Sequence, residues 1–265
     1  MSNEFRTVRV SDPRYESNGF RFITIKSNAL KGRGDVSVYI PGVVKGADSL
    51  PVIVMLHGVY GSHWSWAQSG GAHVQMENLI ASGNIDPFVL IMPSDGLWGD
   101  GSGYIPHEGK DFGKWIGEEV PQVVIQEIGE ISEDSPFFIT GLSMGGYGAF
   151  TVGVRFPRFR GISGHSSITN LVELQEFVEE DWDAKRSALN NHKVIDQIMA
   201  CTSLPPIRFD CGEDDPLING NRLLHKQLTQ NGIEHIYEEF DGAHSWDYWA
   251  EHVSKSYEFF HRIVH

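Results

Sequence analysis

The residues that could carry chemistry are concentrated around one serine. Ser143 lies in Gly141–Gly145, a G-x-S-x-G stretch that follows the apolar run 136–140 and precedes a run of small residues. A strand, a sharp turn and a helix in this order are typical of a nucleophile elbow, where glycines let the helix pass close to the strand. The N–H of Met144, at the start of that helix, is therefore predicted to face an oxyanion beside Ser143. The alternative is a glycine-rich turn with an incidental serine. The presence of a base and a carboxylate elsewhere in the chain distinguishes the two interpretations.

The histidine that would activate this serine is expected late in the chain. A serine hydroxyl needs a base, and on a scaffold of this kind the chain order is serine, carboxylate, histidine. Of the 12 histidines, His244 follows the last predicted strand, and the small residues Gly242 and Ala243 before it let its imidazole lean over the sheet. His57, by contrast, ends a buried strand and is expected to order the loop that follows.

A cluster of acidic residues offers the carboxylate. The candidates are Asp210, Glu213, Asp214 and Asp215. Asp210 lies inside a predicted strand, where its side chain is less free to reach His244. Asp215 precedes a proline, where a turn can direct the carboxylate inward, and we favour it over Asp214. The alternative is a solvated acidic turn that leaves the histidine without an orienting partner.

A second oxyanion donor is expected after an earlier central strand. The loop His57–Ser62 contains Gly58 and Gly61, which permit the backbone to turn back on itself. The N–H of Val59 is then predicted to face the same point as that of Met144. A phosphate-binding turn is the other interpretation, but the lysine of such a turn is absent.

The segments that must hold these groups alternate between strand-like and helix-like. Strands are predicted at 51–56, 88–92, 136–140, 161–166, 207–211 and 236–240, and helices at 74–81, 112–128, 222–229 and 245–263. Repeated β-α-β units favour an α/β fold with a mainly parallel central sheet and helices on both faces. The runs 20–25 and 36–40 predict an antiparallel N-terminal edge. Reactive groups on such a sheet gather at the carboxyl ends of its strands.

Residues 1–265 are expected to form a single domain. A stretch at about 171–204 interrupts the alternation and predicts either a helical lid or an ordinary surface crossover. Aromatic residues near glycine-rich loops, namely Trp98, Tyr104 and Trp246, with Trp64 and Trp66, are expected to line the substrate pocket, although aromatic residues more often serve packing.

Composition excludes several classes of partner. Lys and Arg total 21 against 35 Asp and Glu, a formal net charge of −14 that would repel nucleic acids and anionic lipid surfaces. No basic segment followed by an apolar core begins the sequence and no run reaches membrane-spanning length, so a cytoplasmic protein is expected. No metal-ligand spacing occurs, so neither a metal nor a cofactor is expected. A small-molecule ester is the expected partner, and the oligomeric state is not readable from the sequence.

Taken together, these motifs resemble the esterase D-like branch of the α/β-hydrolases. The resemblance covers about 52–260 and depends on Leu56-His57-Gly58, Gly141–Ala149, Cys211-Gly212-x-x-Asp215 and Gly242-x-His244-x-Trp246-x-x-Trp249. It implies an α/β-hydrolase fold with Ser143 as nucleophile, His244 as base, Asp215 as acid, and Val59 and Met144 as oxyanion donors.

The branch includes S-formylglutathione hydrolases, feruloyl and acetylxylan esterases, and mycolyltransferases of the antigen 85 group. We therefore expect a serine carboxylic-ester hydrolase acting on small soluble esters. The alternatives are a thioesterase of the S-formylglutathione hydrolase type, a feruloyl or acetyl sugar esterase, an acyltransferase, or a non-catalytic binding protein on the same fold.

Overall fold

The computed structural model describes residue 5 and residues 7–44, 47–96, 99–107, 109–180 and 193–265. Its strands are β1 (Val8–Val10), β2 (Phe20–Ser27), β3 (Gly32–Tyr39), β4 (Val52–Leu56), β5 (Val89–Pro93), β6 (Pro106–His107), β7 (Lys110–Asp111), β8 (Phe137–Leu142), β9 (Phe159–His165), β10 (Ile207–Gly212) and β11 (Ile236–Phe240). Its α-helices are α1 (Ser65–Gln68), α2 (Ala72–Ala81), α3 (Phe112–Lys114), α4 (Val120–Glu127), α5 (Met144–Arg155), α6 (Val194–Ala200), α7 (Ile218–Gln230) and α8 (Trp246–Val264).

Within the described ranges, one large sheet runs in the order β1-β2-β3-β5-β4-β8-β9-β10-β11, and β6 pairs only with β7. The strands from β5 through β4, β8, β9 and β10 to β11 are parallel. Strands β1, β2 and β3 pair antiparallel, and β3 joins β5 antiparallel. The predicted α/β architecture with an antiparallel N-terminal edge is confirmed.

The central strands are apolar throughout because both of their faces are covered. Val52, Val54 and Leu56 of β4 face a core layer built with α4, α5, α6 and α7. Ile53 and Met55, between them in the chain, face a second layer built with α1, α2 and α8. Alternate side chains of one strand therefore fill both layers, and this places the sheet in the middle of the molecule.

Two predicted segments differ in detail from the structure. The helix expected at 112–128 consists of α3, a π-helical turn at Trp115–Glu119, and α4, and Pro121, which has no N–H to donate, lies at the start of α4, directly after the π-helical turn. The stretch expected at 171–204 begins with a 3₁₀ helix, Leu171–Glu176, and ends with α6, and its residues 181–192 lie outside the described part. Its role as a lid or a crossover stays a prediction.

Among the residues described, no helix combines the length and the apolar character needed to span a bilayer.

Candidate active site

Ser143 lies at a strained turn between β8 and α5. Its backbone has φ 54° and ψ −120°, a combination that non-glycine residues rarely adopt. A Cβ at Gly141 would lie 2.1 Å from the Gly145 carbonyl oxygen, and one at Gly145 would lie 2.3 Å from that of Leu56. Both positions need glycine because α5 crosses directly against β4 and β8. The Ser143 N–H donates to the His165 carbonyl at 3.0 Å, so the turn is also tied to β9.

Three side chains from three strand ends meet at this turn. The Nε2 atom of His244, in the loop after β11, lies 3.0 Å from Ser143 Oγ. The Nδ1 atom of the same ring lies 2.9 Å from Oδ2 and 3.1 Å from Oδ1 of Asp215, in the loop after β10. The Asp215 carboxylate accepts a hydrogen bond from Nδ1–H and so keeps the proton of the neutral ring on Nδ1. Nε2 is then left free to accept the Ser143 hydroxyl proton. The structure thus brings together the serine, the histidine and the favoured aspartate.

The Asp215 carboxylate is buried but remains ionised. Burial raises the pKa of Asp215, but the hydrogen bonds and charge of His244 and the Leu217 N–H lower it by more, so the net pKa lies below its ordinary value. The Leu217 N–H donates to Asp215 Oδ1 at 2.8 Å. An ionised carboxylate at this place stabilises positive charge that develops on the imidazole.

Two aromatic rings hold the His244 imidazole in place. The ring of Trp249, in α8, lies edge-on to the imidazole, with 89° between the two ring planes and 4.9 Å between the ring centres. Phe177, which follows the 3₁₀ helix of the 171–180 segment, lies at 5.1 Å on a tilted approach. Ser143 itself is only 3% exposed, so little of the residue that carries the reacting hydroxyl faces solvent.

The loop after β4 brings the Val59 peptide beside the elbow. A Cβ at Gly58 would lie 3.4 Å from Ser143 Cβ, which shows how closely the two turns approach. Met144 is the first residue of α5, where N–H groups have no partner within the helix. Val59 and Met144 therefore belong to turns that meet at Ser143, and their role as oxyanion donors stays a prediction.

His57 controls the orientation of the Gly58–Val59 peptide. Its Nε2 accepts the Asp95 N–H at 3.0 Å, so Nδ1 carries the proton and donates to the Gly58 carbonyl at 2.7 Å. In a trans peptide the C=O and N–H bonds point in opposite directions. The Val59 N–H consequently points away from the His57 ring. The expectation that His57 orders its loop agrees with these contacts.

Comparison with known proteins identifies the family. A family model described as "Putative esterase" matches residues 27–259. The chain belongs to this esterase family. It is an enzyme of the carboxylesterase class, and the resemblance drawn from the motifs is confirmed.

Individual relatives support the same placement. An acetyl esterase of Caldicellulosiruptor saccharolyticus is 27% identical over 238 residues, which cover 82% of this esterase and 85% of the relative. An endo-1,4-beta-xylanase/feruloyl esterase of Xylanibacter ruminicola is 32% identical over 157 residues, 54% of this chain but only 20% of that longer protein.

Solved structures share the fold. A ferulic acid esterase superposes with a TM-score of 0.79 at 22% identity, covering 97% of this chain and 98% of the other. An S-formylglutathione hydrolase from Staphylococcus aureus superposes with a TM-score of 0.75 at 17% identity, covering 95% and 98%. The α/β-hydrolase fold is therefore confirmed in this esterase.

Tyr104, which the sequence predicts to line the substrate pocket, is almost completely buried, and its contact with substrate stays a prediction. Its side chain is 2% exposed, and its hydroxyl donates to the His57 carbonyl at 3.0 Å. A Cβ at Gly148 of α5 would lie 2.4 Å from the Tyr104 ring. The ring therefore packs against α5, and its hydroxyl reaches the start of the loop after β4.

The tryptophans expected around the pocket have different surroundings. Trp66 is 1% exposed, and its indole N–H donates to the Leu56 carbonyl at 2.9 Å, so it is a core residue and not a pocket wall. Trp246 is half-buried, with its ring edge-on to Trp66 at 5.8 Å and to Trp249 at 5.3 Å. Its contact with substrate stays a prediction. Trp98 lies outside the described residues.

Sequence reasoning missed Phe177 and Asp100. The Asp100 carboxylate accepts the N–H groups of Glu179 at 2.7 Å and Glu180 at 3.0 Å, which fastens the segment that carries Phe177 to the loop after β5. No local pattern identifies either residue, because each becomes relevant only through a contact between distant parts of the chain.

Potential metal ligands in the described part of the chain lie away from this site. Asp86, His261 and His265 bring their ligand atoms within 4.8 Å of one another. Asp86 precedes the amino end of β5, and the two histidines lie at the end of α8. This group is therefore at the amino ends of the parallel strands, whereas Ser143 lies at their carboxyl ends.

Proposed function

We propose that this esterase hydrolyses carboxylic esters through Ser143, His244 and Asp215 and passes through an acyl-enzyme. The proposal depends on one observation, the continuous chain of contacts from Ser143 Oγ to His244 Nε2 at 3.0 Å and from His244 Nδ1 to Asp215 Oδ2 at 2.9 Å. Nucleophile, base and orienting acid are all within the reach that proton transfer requires.

In the first half of the reaction, Ser143 Oγ attacks the acyl carbonyl while His244 Nε2 takes the hydroxyl proton. The N–H groups of Val59 and Met144 hold the resulting oxyanion, and Asp215 stabilises the imidazolium. His244 then gives its proton to the leaving alcohol, and the acyl group remains on Ser143. A water molecule attacks this ester in the same manner, releases the acid and restores the Ser143 hydroxyl.

Short acyl groups are the substrates that we favour. The Phe177 ring lies 5.1 Å from that of His244, which places a bulky apolar side chain beside the reacting residues. The acetyl esterase relative, which matches most of this chain, supports the same acyl size. The formal net charge of −14 favours neutral esters over polyanionic ones.

Substitution of the nucleophile tests the proposed mechanism. Ser143→Ala is expected to lower kcat for 4-nitrophenyl acetate by about 10⁵-fold or more, because both steps need the hydroxyl. It is also expected to abolish labelling by a fluorophosphonate probe. Ser82→Ala, at the exposed end of α2, serves as the control and should behave as the unmodified enzyme. Retained turnover or labelling in Ser143→Ala would overturn the assignment.

A substrate series tests the proposed acyl size. The series contains nitrophenyl esters of acetate, butyrate and octanoate, methyl ferulate and S-formylglutathione, each assayed with and without added alcohol. We expect the highest kcat/KM for acetate and release of free acid. A preference for methyl ferulate or S-formylglutathione would replace the proposed substrate class. Transfer products in excess of free acid would instead assign an acyltransferase.

A further inference from the structure

A second cluster of polar side chains lies behind the active site, centred on Asp210 in β10. The Asp210 side chain is completely buried, and its Oδ2 lies 2.8 Å from Nδ1 of His165 and in contact with the Arg208 guanidinium. Its Oδ1 accepts the Tyr248 hydroxyl at 2.8 Å. Burial raises the pKa of Asp210, but the charges and hydrogen bonds of His165 and Arg208 lower it by more, so the carboxylate is ionised. A buried carboxylate of this kind is a strong and fixed acceptor.

Tyr248 connects this carboxylate to the loop that carries His244. Tyr248 lies in the first turn of α8 and is 3% exposed. A Cβ at Gly242, two residues before His244, would lie 2.8 Å from Tyr248 Cδ2, so the ring packs directly on the loop backbone. Gly242 has φ 133°, a backbone conformation that leaves the position to glycine.

The same loop is attached to the acid loop on its other side. The Gly242 carbonyl accepts the Asp214 N–H at 3.0 Å, and a Cβ at Gly212 would lie 2.3 Å from that carbonyl oxygen. Gly242 is therefore held between the Tyr248 ring and the backbone that leads to Asp215. The position of the His244 ring relative to Ser143 and Asp215 depends on this arrangement.

We propose that Tyr248, through its hydrogen bond to Asp210, is a positioning residue that holds the His244 loop in register with Ser143 and Asp215. Tyr248 contacts none of the reacting atoms and acts only through Gly242 and the first turn of α8. The inference presupposes the proposed function, because it assigns a role to a residue behind His244. Without the hydroxyl bond the ring and the loop gain freedom, and small displacements of a base lower the rate sharply.

Ser256, at the far end of this hydrogen-bond network, offers a variant that distinguishes a role in positioning His244 from a role in stability. His165 Nε2 lies 2.7 Å from the Ser256 hydroxyl, which also lies 2.7 Å from Ser163 Oγ. Ser256 is fully buried on α8, two turns beyond Tyr248. Ser256→Ala therefore weakens the same network and the same helix without touching the His244 loop.

The helix also supplies a tyrosine control. Tyr257 is fully buried on α8, and its hydroxyl donates to the Ala72 carbonyl at 3.2 Å on the side of α2. Tyr257→Phe removes the same atom from the same helix as Tyr248→Phe, but far from His244. Tyr248→Phe keeps the ring that packs on Gly242, so it is expected to fold.

The test compares kcat, KM, fluorophosphonate labelling rate and melting temperature for the three variants. Tyr248→Phe is expected to lower kcat and the labelling rate about 10- to 100-fold with KM within about twofold, because only the base is displaced. Ser256→Ala and Tyr257→Phe are expected to lower the melting temperature but to keep kcat. Assays are run well below the lowest melting temperature, so that loss of folded protein does not enter kcat.

Two results would overturn the inference: unchanged kcat in Tyr248→Phe, or an equal loss of kcat in all three variants, which would mark a purely structural network. The failure of this inference is distinguishable from that of the proposed function. An active Tyr248→Phe together with an inactive Ser143→Ala removes only the role of Tyr248, whereas an active Ser143→Ala removes the triad itself.

Discussion

At the scale of single residues, two aspartates only five positions apart have different surroundings, because one lies in β10 and the other in the loop that follows it. Asp210 points from β10 into the interior, where Tyr248 and His165 surround its carboxylate. Asp215 lies beyond the strand end, where the turn directs it to His244. The position of each carboxylate relative to the end of β10 decides which partner it meets.

Replacing Asp215 tests its role as the orienting acid. Asp215→Asn is expected to lower kcat about 10³- to 10⁴-fold, because an amide in place of the carboxylate allows the wrong imidazole tautomer. Asp214→Asn is the matched control, since Asp214 is exposed and adjacent in sequence, and it should keep kcat. Steady-state kinetics with 4-nitrophenyl acetate measure both. Equal losses, or a larger loss in Asp214→Asn, would contradict the assignment of Asp215.

At the scale of elements, the elbow depends on how closely α5 approaches β4. The approach is so close that a Cβ at Gly145 would lie 2.3 Å from the Leu56 carbonyl oxygen and 2.6 Å from that of His57. Both are backbone atoms, which cannot move without shifting β4. The β4–α5 contact therefore sets the distance between the Val59 loop and Ser143.

Adding a methyl group at this contact tests its tightness. Gly145→Ala is expected to lower the free energy of unfolding by about 1–3 kcal/mol, because the strand and the helix must separate. It should also reduce kcat. Gly129→Ala is the control, since nothing lies within 4 Å of a Cβ at Gly129, and its effect should stay within about 0.5 kcal/mol. Urea denaturation gives both values, and a Gly145→Ala enzyme as stable and active as the parent would refute the argument.

At the scale of the whole molecule, several ionisable groups have pKa values that folding shifts away from their ordinary range. Asp210 and Asp215 are buried carboxylates whose pKa values lie below the ordinary range, since hydrogen bonds and neighbouring positive charge outweigh burial. Burial lowers the pKa of His63 and His73. For all four groups, the folded state holds its proton less tightly than the unfolded state. Burial raises the pKa of Glu173, which acts in the opposite direction.

The resulting prediction concerns stability in acid. A group whose pKa is depressed by folding stabilises the protein above its unfolded pKa, and this contribution is lost as the pH falls. We therefore expect a shallow decrease in the free energy of unfolding below about pH 6.5, from the histidines, and a steeper one below about pH 4, from the aspartates. Urea denaturation followed by tryptophan fluorescence at pH 7, 6, 5, 4 and 3 measures the profile. Constant stability down to pH 3 would contradict it.

The sequence by itself predicted the elbow at Ser143, the choice of Asp215 and His244 and the loop of Val59, and it determined the α/β architecture. These depend on local patterns, because a strand end, a glycine and a turn residue are neighbours in the chain. Parallel strands then bring their carboxyl ends to one edge whatever the loop lengths between them.

Only the tertiary structure decided that Tyr104 and Trp66 are buried supports, that Phe177 contacts His244, and that Tyr248 reaches Asp210. Each of these facts depends on a contact between segments that are far apart in sequence. An aromatic side chain has the same local pattern whether it packs in a core or lines a pocket, so only the position of its distant neighbours distinguishes the two.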